Sequence, residues 1–169
     1  MTGTERDARR ERRVVITGMG AVTPVGNDVP TSWSALLAGT SGGGRITHFD
    51  ATEDFPTRVA CEVKDFDASH VIDAKEIRRY DRFAQFGLVA SGEALAQAGM
   101  PDGPGDVVDA DRFGVIFGSG IGGINTFETQ HRIMLERGPR RVSPFFVPMF
   151  IPDIAAGLIS IRFGAKGPN

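Results

Sequence analysis

The hydrophobic and polar positions of this chain switch repeatedly between strand-like and helix-like periods. Residues 14–17, Val-Val-Ile-Thr, form a continuous apolar run of the kind seen in strands covered on both faces. A turn rich in glycine and proline follows over 18–27. Asp28 is placed to cap a helix over 30–38, with Pro30 in its first turn and Gly39 just past its end. Residues 40–44 read as loop, and 57–63 alternate loosely enough to predict a half-exposed strand. Short helices are expected over 68–72 and 74–80, leading into a longer one over 82–97. Its apolar stripe is Phe83, Phe86, Val89, Ala90, Ala94 and Leu95, while Ser91, Gly92, Ala96 and Ala98 permit a close neighbour. Gly99 and Pro101 stop it.

A third apolar strand, 113–117, runs into a glycine-dense turn and then a polar-faced helix over 125–136. The stretch 147–163 predicts one apolar helix, with Ile151, Ile154, Ala155, Leu158, Ile159 and Ile161 at helical spacing. Three strands are few for so much helix. After the last helix a loop should deliver another strand, so the polypeptide reads as the front part of a longer α/β protein.

Composition narrows the class without naming a function. At 169 residues, with 41% hydrophobic and 24% charged positions, the chain fits one soluble globular domain. A net charge of −2 gives no general pull toward nucleic acid or membrane. No apolar run is long enough for a transmembrane helix, and the polar, arginine-rich start is not a secretory signal. Cys61 stands alone, which excludes an internal disulfide and a cysteine-based zinc site, so the cytoplasm is the expected compartment. Residues 1–11 read as a disordered basic tail.

Candidate chemistry is sparse. Gly118, Gly120 and Gly123 fit the G-x-G-x-x-G pattern of a dinucleotide loop between strand and helix. A dinucleotide fold also needs a strand ending in Asp or Glu about 20 residues further on. That distance lands on the apolar, proline-broken 142–146, so a dinucleotide-binding domain is the remote alternative. Cys61 falls mid-strand with no sign of an activating base. His48, His70 and His131 show no metal-ligand spacing, and Asp50, Glu53 and Asp54 read as solvated loop charge. Neither a metal site nor a cofactor is expected.

Three stretches carry a resemblance. They are 12–20 with 23–27 (Arg-Arg-Val-Val-Ile-Thr-Gly-Met-Gly and Thr-Pro-Val-Gly-Asn), 117–123 (Phe-Gly-Ser-Gly-Ile-Gly-Gly), and 143–157 from Ser143-Pro144-Phe145-Phe146 through Ile154-Ala155-Ala156-Gly157. In this order and spacing they resemble the N-terminal part of the elongating β-ketoacyl-acyl-carrier-protein synthases, most closely the type II enzymes of dissociated bacterial fatty-acid synthesis. Residues 46–50, 63–67 and 80–83 fit the same pattern, which covers 12–169.

The resemblance implies a thiolase-like fold, layered α/β/α/β/α when complete, of which this chain would supply most of the first half. It implies a homodimer and an acyl carrier protein partner bearing acyl or malonyl phosphopantetheine. The implied reaction is acyl transfer to a cysteine, decarboxylation of the malonyl thioester, and attack of the resulting carbanion on the acyl thioester. The family's nucleophilic cysteine and both catalytic histidines are expected beyond Asn169, so no catalytic residue is expected in this chain. Cys61 and the three histidines match none of them.

Supporting residues do match. Ile121 falls where the family lines its acyl pocket, and Phe146 where the dimer interface reaches the partner's pocket floor. Arg78, Arg79, Arg82, Arg140 and Arg141 fall where the family places its basic rim for the acidic carrier, with Lys75 a neighbour of like charge. The alternative within this resemblance is a non-catalytic chain-length factor or other polyketide ketosynthase-like subunit.

Overall fold

A computed structural model of the chain describes residues 13–169; the basic tail expected over 1–11 lies outside them. Helix α1, Val29–Leu37, begins where the capping residue predicts: Asp28 Oδ1 accepts the Thr31 backbone N–H at 2.6 Å. That bond holds the Asp28 carboxyl below its usual range. Gly39 follows the helix at φ +69°, a conformation that favours glycine.

Strands are shorter than the sequence suggests. β1, Gly44–Arg45, pairs antiparallel with β2, Val59–Ala60, with Gly44 opposite Ala60 and Arg45 opposite Val59. The strand expected over 57–63 therefore forms only at its centre, and its partner comes from a segment read as loop. Residues 14–17 and 113–117, expected as strands, lie in no ladder. Extended chain becomes sheet only when a neighbour takes its backbone groups. Residues 113–115 find two such bonds, Val115 N to Pro168 O at 2.9 Å and Gly167 N to Phe113 O at 3.0 Å.

The helix expected over 68–72 is a turn instead. Asp67 takes both the backbone N–H and the hydroxyl of Ser69 at 2.8 Å, an Asx arrangement that competes with helical bonding. The next segment makes a single helical turn, α2, Ala74–Ile77. Helix α3, Arg82–Gln97, has the predicted bounds. Helix α4 spans Ile124–Arg137. The apolar stretch expected to be one helix is two, α5 (Phe146–Phe150) and α6 (Ile154–Phe163). Pro152 lies between them and has no N–H to donate, so helical bonding cannot run through.

Helix α3 is the axis of the fold. One side packs on α6 through a core of Ala68, Ile72, Leu88, Val89, Ile159 and Phe163. The buried face of α3 is thus set by Ala84, Gly87, Leu88 and Val89, of which only Val89 belongs to the predicted stripe. The other side receives the glycine-rich segment after residue 17. A Cβ on Gly18 or Gly20 would overlap the carbonyls of Ala94 and Ala90. The α3 side chains also bind this segment, Gln97 Oε1 accepting Met19 N at 2.6 Å and Glu93 Oε2 accepting Ala21 N at 2.9 Å. The small residues of α3 admit a neighbour, as expected, and glycine backbone is what fills the space.

Candidate functional site

The glycine turn 118–123 is held at its two ends, while Gly118, Gly120 and Ile121 between them are exposed. Before it, the Phe117 ring lies over Gly87 of α3, where a Cβ would stand 2.9 Å from Phe117 Cζ. Within it, Ser119 Oγ accepts Gly122 N at 3.0 Å, and Gly122 sits at φ +79°. After it, Gly123 N donates to Phe150 O at 2.9 Å, tying the turn to α5. Ile121 at the turn's tip is 61% exposed. Among the described cavities none includes Ile121 or Phe146; the roomiest, about 670 Å³, lies elsewhere, between Asn27, Asp65, Gly92 and Phe163.

Phe146 opens α5 and is half-buried in an aromatic cluster. Its ring centroid lies 6.0 Å from Phe127 and 5.8 Å from Phe150, with Phe127 and Phe150 at 5.2 Å. His131 stacks on Phe127 at 6.3 Å. Ile121 and Phe146 therefore belong to adjoining elements, joined by the Gly123–Phe150 bond. Sequence reasoning missed Phe127 and Phe150. The spacing of Phe146 and Phe150, one helical turn apart, was the available signal.

The basic residues divide by environment. Arg78, Arg79, Arg140 and Arg141 are exposed, the last two on a 3₁₀ turn, Pro139–Arg141. Arg79 stacks over the Phe145 ring at 4.8 Å, bringing the first pair toward the loop that follows Arg141. Arg82 differs: Nη2 donates to Val63 O at 2.9 Å and the guanidinium lies 5.1 Å from the Phe86 ring. Its charge braces α3 as well as facing outward.

Beneath Arg79 a cavity of about 210 Å³ is lined by Glu76, Tyr80, Phe145 and Leu158. Burial and then the nearby Glu76 carboxylate push the Tyr80 phenol up. A group whose folded pKa is raised contributes stability below its unfolded value and loses it as pH rises through the folded value. Tyr80 is the sole tyrosine of the chain. Ultraviolet titration of this chain is expected to show its phenolate appearing above the ordinary value of about 10. A midpoint at or below that value would contradict the partly buried placement beside Glu76.

Other candidates stay apart. Cys61 is exposed, and no cluster of His, Cys, Asp and Glu able to hold a metal occurs among the described residues. Glu62 is engaged locally, accepting Thr47 N at 3.0 Å and His48 N at 3.2 Å. The Thr47 backbone bond, foremost, holds its carboxyl below the usual range. No helix among the described residues is long and apolar enough to cross a membrane.

The start of α4 decides against a dinucleotide. A phosphate would need the free N–H groups at that helix N-terminus. The Asp81 carboxylate already holds one, accepting Thr126 N at 3.2 Å, and its charge would repel a phosphate. The family described as β-ketoacyl synthase, N-terminal domain, matches residues 11–169. The chain belongs to that family.

Within it, the chain is 52% identical over 162 residues to the 3-oxoacyl-(acyl-carrier-protein) synthase 2 of Staphylococcus aureus strain N315, covering 95% of this chain and 38% of that protein. The synthase 2 of Synechocystis sp. is 46% identical over 159 residues, covering 94% of this chain and 37% of its own. Among solved structures, the ishigamide ketosynthase/chain length factor superposes with TM-score 0.80 at 28% identity, covering 93% of this chain and 38% of that one. A β-ketoacyl synthase from Burkholderia phymatum gives 0.76 at 30%, covering 92% and 38%. A type II polyketide ketosynthase in complex with its acyl carrier protein gives 0.72 at 26%, covering 91% and 40%. The chain thus has the thiolase-like α/β fold of ketosynthases and spans 38% of the length of the Staphylococcus relative. Gly122 and Gly123 pack closely against α5 and the Pro152 that follows it, whereas a Cβ on Gly118 or Gly120 would meet open space, so close packing accounts for only the second half of the glycine turn.

Proposed function

We propose that the whole protein elongates fatty acids as a 3-oxoacyl-acyl-carrier-protein synthase. It condenses malonyl-carrier protein with an acyl group held as a thioester on the enzyme, with loss of carbon dioxide. The 52% identity to a synthase 2 over 95% of this chain carries the reading. In it, Ile121 lines the acyl pocket and Phe146 faces the partner subunit of a cytoplasmic homodimer. Phe127, Phe145 and Val147, between 42% and 59% exposed on or beside α4 and α5, suit such an interface. This chain contributes walls and docking surface, whereas the nucleophile and the histidines that polarise the malonyl thioester are assigned to other parts of the protein.

The chain-length-factor reading has the superposition with the ishigamide assembly in its favour. Identity ranks it second, at 28% against 52%.

Arg78, Arg79, Arg140 and Arg141, with Arg82 behind them, form a basic rim for the acidic carrier. The full-length protein is expected to release carbon dioxide from malonyl-carrier protein and yield a carrier-bound 3-oxoacyl product when given acyl-carrier protein. Failure to form that product would overturn the reading. Arg78→Glu with Arg140→Glu is expected to weaken carrier binding on the order of tenfold and to flatten its salt dependence. Equal binding by parent and variant at low salt would remove the rim from the docking surface.

A further inference from the structure

We propose that Asp81 and Thr126 are positioning residues for the acyl-pocket turn: one carboxylate set at two helix N-termini fixes where Ile121 stands, and so which acyl lengths are accepted. The inference rests on the synthase reading for its substrate, but its geometry stands independently. Asp81 caps α3, Oδ1 accepting Phe83 N at 3.4 Å. Its other oxygen, Oδ2, accepts both the hydroxyl of Thr126 at 2.5 Å and the Thr126 backbone N–H at 3.2 Å. Thr126 is the third residue of α4, and the α4 cap position is Gly123, which has no side chain to offer. Asp81 supplies the missing cap from 45 residues away.

The arrangement is a built one. Asp81 and Thr126 are each 8% exposed, and no ion pair to Asp81 occurs among the described residues. Two N-terminal helix dipoles and three donated bonds satisfy the charge instead. A Cβ at Gly123 would stand 2.9 Å from Asp81 Oδ2, so the turn's last residue rests on the carboxylate itself. Ile121 is two residues from that contact. On its other flank it is bracketed by the Ser119–Gly122 bond. A shift of the α4 start relative to Asp81 is therefore passed toward Ile121 through Gly122 and Gly123, both packed against α5.

The test uses the full-length protein with Thr126→Val, which keeps the shape and deletes the donating hydroxyl, Thr126→Ser, which keeps the donor, and Asp81→Asn. Two readouts are compared. In hydrogen exchange, Thr126→Val and Asp81→Asn are expected to speed exchange across 121–126 while α1 stays at the parent rate. In turnover, the ratio of kcat/KM between a long and a short acyl-carrier substrate is expected to change on the order of tenfold in Thr126→Val and to return to the parent ratio in Thr126→Ser. Exchange at 121–126 unchanged in both variants overturns the lock. Faster exchange with an unchanged acyl ratio overturns the role in specificity and leaves Asp81 a cap only. If the parent itself condenses no acyl chain, the synthase reading fails, and exchange still decides whether the lock exists.

Discussion

Replacing Gly20 with valine is expected to strip the N-terminal segment from α3 and to cost about 3–5 kcal/mol of stability, the sum of an overpacked contact and lost hydrogen bonds. Glycine is required here by approach, since Gly20 is absent from the positive-φ positions. Any Cβ at this site would overlap the Ala90 carbonyl, and α3 cannot retreat without leaving α6. Once the segment lifts, Ala21 N loses Glu93 and Met19 N loses Gln97. Glu93 also accepts Val29 N at 2.8 Å, so the start of α1 loosens with it. A domain stable by about 5–15 kcal/mol would be left marginal. Urea unfolding of the full-length protein measures the effect, with Gly20→Ala a milder step in the same direction. A midpoint for Gly20→Val equal to the parent's would show that the segment does not pack on α3 in solution.

The second large effect is expected at Phe163. It is 2% exposed and closes the core between α3 and α6. A Cβ on Gly92 would stand 3.5 Å from its ring, so the glycine makes room for it. Phe163→Ala is expected to cost about 3–5 kcal/mol, because the surrounding helix backbones cannot collapse into the space. Ile161, two residues away and 80% exposed, serves as the control. Ile161→Ala is expected to change stability by less than about 0.5 kcal/mol if that face is open. Comparable losses at both positions, read as urea midpoints, would mean that α6 is buried on both faces in the whole protein.

These two sites separate what was legible from what was not. The bounds of α1 followed from Asp28 and Gly39 and the end of α3 from Gly99 and Pro101, all local signals within about a turn of the helix end. The face of α6 did not, because Ile154, Leu158, Ile159 and Ile161 make it apolar nearly all round. Only contact with α3 chooses Ala155, Ala156, Ile159 and Phe163 and leaves Ile161 outside.

The candidate site divides the same way. Ile121, Phe146 and the five arginines were named on a resemblance carried by short motifs. That Arg82 binds Val63 O, that Arg79 lies on Phe145, and that Asp81 caps α4 all depend on residues distant in sequence.

By itself the sequence determined the helices α1, α3 and α4, the turns that bound them and, through three ordered motifs, the family. Those features arise from neighbours along the chain, where a cap, a proline or a glycine acts within a few residues. The tertiary structure alone decided that 14–17 and 113–117 lie in no ladder, that α6 leaves Ile161 outside the core, and that one carboxylate holds two helices. Each is a long-range outcome: strands need a partner's backbone, and a buried charge needs donors that only folding brings to it.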